Sequence, residues 1–114
     1  MQVPLKDKHC VPCDAGTPPL DGPTTHLLLG EVPGWALRHE AGKPPRITRG
    51  YEFADFLAAM AFVGKMAALA EEEGHHPDFC VHYSKVDVTL WTHAVGGLSE
   101  NDFILASKLD AALV

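Results

Sequence analysis

No apolar run in this chain approaches the roughly 18 consecutive residues needed to span a bilayer, so no membrane segment is expected. The opening MQVPLKDKHC lacks the apolar stretch of a secretion signal. The chain therefore reads as soluble and cytoplasmic. Basic residues are scarce: 9 Lys and Arg face 15 Asp and Glu, for a net charge of -6. That balance disfavours nucleic-acid binding, which needs clustered Lys and Arg against phosphates. Cysteine is also sparse. Three residues, an odd number, argue against a disulfide framework.

What remains is ordinary globular composition, 46% hydrophobic and 21% charged over 114 residues. Such a length fits one domain with a small core, and small domains often gain stability by association, so an oligomer is expected. Seven histidines stand out, and His75, His76, His82 and His93 crowd into one short stretch.

Residues 1–19 contain Pro4, Pro12, Pro18 and Pro19 and show no helical or strand period, so they read as an irregular arm ahead of a domain spanning 20–114. Asp21 and Pro23 predict a short helix carrying Leu27 to Leu29. WALRHE at 35–40 and RITRGYE at 46–52, joined by AGKPP, predict a hairpin with Ile47 and Tyr51 apolar. Over 53–73, Phe53, Phe56, Leu57, Met60, Val63, Ala67 and Ala70 recur at three- and four-residue steps and predict one buried helical face. Gly74 sits where a left-handed C-cap belongs, and Pro77 forbids continuation. Glu71, Glu72 and Glu73 lie at the unfavourable end of the helix dipole. Glu72 and Glu73 read as a solvated acidic end, whereas Glu71 reads as a site residue.

FCVHY at 79–83 predicts a strand and Ser84-Lys85 a turn. In VDVTLWTH, Val86, Val88, Leu90 and Thr92 face one side and Asp87, Thr89, Trp91 and His93 the other. Ser99 then caps a final helix, with Asp102 completing a capping box and Leu105, Leu109 and Leu113 as its packed stripe. The resulting order predicts an α+β fold: a four-stranded antiparallel sheet with helices packed on one face, a two-layer sandwich. The uncovered sheet face is a natural place for a partner subunit or a substrate.

His75 and His76 follow the long helix in a turn locked by Pro77, and His93 closes the alternating strand. If the strand pair flanks the turn, the three imidazoles converge on one cleft, with Asp102 placed to orient one of them. Imidazole titrates near pH 6.5 and serves as acid or base near neutrality. Clustered imidazoles bias one another, and a carboxylate such as Glu71 or Asp102 restores a charged partner. Zinc is the chemical rival, since three histidines plus water is a catalytic set and a metal-dependent hydrolase on the same residues is a third option, but adjacent His75 and His76 are an awkward pair for one tetrahedral ion because neighbouring side chains tend to diverge.

Glu71, His75, His76, Pro77, Tyr83, His93 and Asp102 match, in order and spacing, the signature of the pterin-4a-carbinolamine dehydratase family, which this chain resembles. PGW at 33–35, FADF at 53–56, SKVDVTL at 84–90 and GLSENDFILA at 97–106 extend the resemblance over residues 31–113. It implies an enzyme, a hydro-lyase. The reaction would dehydrate 4a-hydroxytetrahydropterin to quinonoid dihydropterin and so recycle the cofactor of aromatic amino-acid hydroxylases such as phenylalanine hydroxylase. No metal or organic cofactor is implied. His75, His76 and His93 would be catalytic, with His76 and His93 at the pterin and His75 the acid. Glu71 and Asp102 would set protonation, Pro77 and Tyr83 would support the site, and Trp35 would pack near the substrate. Relatives form dimers or tetramers, so a homodimer or homotetramer is expected. Animal relatives also serve as dimerisation cofactors of a transcription factor, which makes a non-enzymatic interaction module the alternative. Gly74 and Asn101 depart from charged residues found in some relatives.

Other features are weaker. His9-Cys10-x-x-Cys13 looks like half a zinc site, but no second CxxC follows and Cys80 falls in an expected strand, so it reads as part of a non-catalytic arm. His82 reads as structural or exposed. Trp91 shares a strand face with His93 and either walls the site or simply packs.

Overall fold

The alternation of Val86, Val88 and Leu90 becomes the buried side of a central strand, with all three fully enclosed. Around it, the computed structural model describes residues 4–11 and 16–113. The elements are α1 (Gly22–Leu29), β1 (Ala36–Arg38), β2 (Arg46–Glu52), α2 (Phe56–Glu73), β3 (Asp78–His82), β4 (Lys85–Leu90) and α3 (Glu100–Ala111). The order matches the sequence expectation. The strands form one antiparallel sheet in the order β1-β2-β4-β3, so the fold is α+β, with helices on the buried face.

The register between β2 and β4 sets Ile47 opposite Leu90 and Tyr51 opposite Val86. These four residues floor the core, and Phe62 and Met66 of α2 and Phe103, Ile104 and Leu105 of α3 fill it from above. Asp21 caps α1 by accepting the Thr24 amide at 2.8 Å, and Asp55 caps α2 by accepting that of Ala58 at 2.8 Å. Asp110 ties the end of α3 to the sheet. It accepts from the Tyr51 hydroxyl at 2.6 Å, Arg49 at 2.8 Å and the Trp35 indole at 3.1 Å.

Three expectations are corrected. The buried stripe of α2 is Ala59, Phe62, Met66, Ala70 and Glu73, while Phe56, Leu57 and Met60 are exposed. The helix is apolar on two sides, and periodicity alone does not say which side meets the sheet. Leu113 is also exposed, and α3 is instead enclosed nearly all round from Asn101 to Ala106. The cause of that enclosure is the third correction. The N-terminal segment forms a turn of 3-10 helix at Leu5–Asp7 that packs against α3. Leu5 is buried in the core, a contribution of about 2 kcal/mol. Among the described residues, no helix is long and apolar enough to cross a membrane.

Candidate active site

α2 ends as Gly74 requires. Its φ of 65° is left-handed, the Gly74 amide bonds the Glu71 carbonyl, and the His75 amide bonds the Ala70 carbonyl at 3.1 Å. This Schellman closure turns the chain sharply, and Pro77 keeps it from resuming as helix. His75 is thereby folded inward, 9% exposed, while His76 remains at the surface.

The inward turn brings His75 to the first turn of α3. Its Nε2 lies 2.6 Å from Asp102 Oδ1. Asp102 is completely buried, and a buried carboxylate must have its lone pairs satisfied. Its second oxygen accepts from the Ser99 amide and from Thr92 Oγ1, both at 2.9 Å. Because Thr92 donates to Asp102, it accepts from the Ser99 hydroxyl at 2.7 Å. An ionised carboxylate only accepts, so Nε2 of His75 carries the proton in this bond. Nδ1 is then the ring nitrogen with no protein partner among the described residues.

β4 ends at Leu90, and His93 opens a short turn of 3-10 helix (His93–Val95) rather than closing the strand. The His93 ring stacks on Trp91, with centroids 3.7 Å apart and planes 25° from parallel. His76 Nε2 lies 2.7 Å from Glu71 Oε1 at the exposed rim. One cleft of about 350 Å³ is lined by His75, His76, Pro77, Asp78, Trp91 and His93, with Gly74 and Thr92. The three imidazoles thus share a cavity. An oriented imidazole beside two others is equipped for paired general acid and base work.

Two expected site residues lie elsewhere. Trp35 is buried in the core, edge-on to Tyr51 and bonded to Asp110, and does not line the cleft. Tyr83 is not in a strand. His82 pairs with Lys85, so Tyr83 and Ser84 form the two-residue hairpin loop, with Tyr83 at φ 55° and 71% exposed. Thr92 and Ser99 brace Asp102, a role the sequence reading does not assign. The signal was there: Thr92 continues the inward phase of β4, and an inward hydroxyl needs a partner.

A second cleft, of about 460 Å³, borders the other face of the Gly74–His75 turn and Thr92, and is walled by Cys10, Val11, Glu71 to Glu73, Ala94 and Asn101. Here Glu73 overturns the solvated reading. Its side chain is nearly fully buried, Oε1 accepts the Cys10 amide at 2.7 Å, and Oε2 meets His9 Nδ1 at 2.9 Å and Lys108 Nζ at 3.7 Å. Burial alone would raise its pKa, but the Cys10 amide, His9 and Lys108 outweigh it and hold the carboxyl below its ordinary value. Burial, then the Glu73 and Asp102 charges, push the Cys10 thiol up to about 12. It donates to the Asn101 carbonyl at 3.6 Å. Cys13, the other half of the CxxC, lies outside the described residues. Among those residues, no three His, Cys, Asp or Glu side chains are grouped to hold a metal ion. His82 is exposed, 3.6 Å from Asp87.

Fold and cleft together define a small α+β protein with an imidazole-lined cavity. Comparison with known proteins narrows that class. The profile of the pterin 4 alpha carbinolamine dehydratase family matches residues 18–112, and the chain belongs to this family. A protein of Dechloromonas aromatica provisionally named pterin-4-alpha-carbinolamine dehydratase is 43% identical over 109 residues, covering 96% of this chain and 93% of its own. The crystal structure of a transcriptional coactivator/pterin dehydratase from Brucella melitensis superposes with a TM-score of 0.73 at 35% identity, covering 82% of this chain and 96% of that one. A pterin dehydratase-like RuBisCO assembly factor of the alpha-carboxysome superposes with a TM-score of 0.58 at 29% identity, covering 68% and 87%.

Proposed function

We propose that this chain dehydrates 4a-hydroxytetrahydropterin to quinonoid dihydropterin, using His75, His76 and His93, and so recycles the pterin cofactor of an aromatic amino-acid hydroxylase. The observation that carries this reading is the buried His75–Asp102 pair opening onto a cleft that also holds His76 and His93. The reaction takes a proton from the ring nitrogen beside the carbinolamine carbon, forms the C=N bond and releases the hydroxyl, protonated, as water. With Nε2 held by Asp102, His75 presents a lone pair at Nδ1 and serves as the base. This reverses the acid role drawn from resemblance. His76, partnered by Glu71, and His93, held against Trp91, line the same cleft, where one of them protonates the leaving hydroxyl. Pro77 shapes the cleft, and a flat pterin finds its apolar wall in Trp91.

The exposed Phe56, Leu57 and Met60 face of α2 and the free edge of β3 support a homodimer or homotetramer. That same apolar face, with the coactivator and assembly-factor descriptions of the two structural relatives, favours a second reading, a protein-interaction module on this fold. The test is kinetic. Purified protein should accelerate loss of the 4a-hydroxy intermediate, and His75→Ala, His76→Ala and His93→Ala should each slow it. Wild-type rates in folded forms of all three would overturn the histidine mechanism. Absence of activity in the unaltered protein would favour the interaction module.

A further inference from the structure

Two side chains that hold the N-terminal segment sit immediately beside the two members of the buried pair. Glu73 lies two residues before His75 and grips the segment from α2 through the Cys10 amide and His9. Asn101 directly precedes Asp102 and grips it from α3. Its Oδ1 accepts the Val11 amide at 3.0 Å, and its Nδ2 donates to the Val11 carbonyl at 2.6 Å. Lys108 adds a third hold by donating to the Lys6 carbonyl at 2.9 Å, and Leu5 anchors the far end in the core. The segment therefore crosses from the end of α2 to the start of α3, the two places whose separation sets the His75–Asp102 distance. It lies upstream of the residues matched by the family profile, which begin at 18.

We propose that Pro4–Val11 is a strap that fixes the geometry of the His75–Asp102 pair, with Glu73 and Asn101 as positioning residues for the reaction. The proposal rests on the dehydratase reading for its kinetic consequence, but its structural core is independent of that reading. The hydrogen bonds of Glu73 and Asn101 described above go to the strap. They act by holding Gly74–His75 and the first turn of α3 against one peptide. Released from the strap, the buried Glu73 carboxylate loses its amide donor and draws water toward the second cleft, which shares His75 and Thr92 with the first.

The test follows the His75 ring nitrogens by NMR as pH is stepped, in the full-length protein and in Glu73→Ala, Asn101→Ala and the double variant, with steady-state kinetics alongside. The groups facing His75 are Asp102, His76, Asp78 and His93 on one side and Glu71, Glu72, Glu73 and Cys10 on the other, and those facing the strap are Glu73, Glu100 and Lys108. Each single variant should move the His75 titration midpoint and lower kcat by about tenfold, with KM changed by less than about twofold. The double variant should add little, because both residues hold the same strap. Glu73→Gln, whose amide oxygen still accepts the Cys10 amide, should recover most of the loss. If either variant does not fold, Val11→Pro removes the amide received by Asn101 without altering α2 or α3 and gives the same readout. An unchanged His75 titration in a folded variant that has lost the strap overturns the proposal, even if its melting temperature falls. Shifted His75 titration with no dehydratase activity in the unaltered protein upholds the strap and overturns the proposed function.

Discussion

The imidazole of His93 lies flat against the indole of Trp91, 3.7 Å between centroids. Both come from the segment that leaves β4, and both line the histidine cleft. Trp91 is the surface that fixes the plane of an otherwise exposed ring. Trp91→Ala should therefore lower kcat/KM by about tenfold, because a misplaced acid-base group costs rate even when present. Trp91→Phe, which keeps a flat apolar face, should retain most activity. Steady-state kinetics of the two variants makes the comparison.

Gly74 is the second structural lever on the cleft. A methyl group there would meet nothing within 4 Å, so the cost of Gly74→Ala is purely that of a left-handed φ of 65°. The change should destabilise the protein by about 1 kcal/mol in urea denaturation. It should also depress activity further than that loss explains, because His75 is placed by this turn.

Glu73 makes a prediction about acid stability. Its folded pKa is lowered below the ordinary 4.5. A carboxyl of that kind contributes stability that is fully present above its unfolded pKa and is lost as pH falls through the folded value. The groups facing it are His9, Cys10 and Lys108. The melting temperature of the wild type should exceed that of Glu73→Gln at neutral pH, and the two should converge as pH drops below about 4.5. A constant gap across that range would remove Glu73 from the acid response.

Leu57 is 77% exposed on an apolar helix face. Leu57→Glu should weaken self-association in sedimentation velocity while changing the stability of the monomer fold by less than about 0.5 kcal/mol. An unchanged sedimentation coefficient would place any subunit contact elsewhere.

Much of this architecture was legible in the residues, because the signals concerned were local. Asp21 before Pro23, Gly74 before Pro77, Ser99 three residues before Asp102, and the strict alternation of Val86, Val88 and Leu90 each encode their own geometry. Residues that depend on distant partners did not show themselves. Both sides of α2 are apolar, so its phase is set by the sheet beneath it. Glu73 reads as solvated because nothing near it in sequence reveals that the Cys10 amide arrives to donate to its carboxylate. Tyr83 occupies a left-handed loop position with no glycine or asparagine to mark it, so the sequence suggests a turn one residue late. The resemblance implies Trp35 near the substrate, yet its indole is taken by Asp110, a partner 75 positions away. The histidine cluster was found because three of its members flank two breaks in regular structure; its brace, Thr92 and Ser99, was not.

The account turns on Asp102 holding His75 through Nε2, which leaves Nδ1 as the nitrogen with the lone pair. Asp102→Asn keeps size and burial, but its amide donates to His75 Nε2 and forces the opposite tautomer, putting a proton on Nδ1. The most direct measurement is the single-turnover rate of 4a-hydroxytetrahydropterin dehydration by Asp102→Asn, with retention of fold checked by circular dichroism. The account predicts a fall of at least about a hundredfold. A folded Asp102→Asn protein dehydrating at the wild-type rate would contradict it.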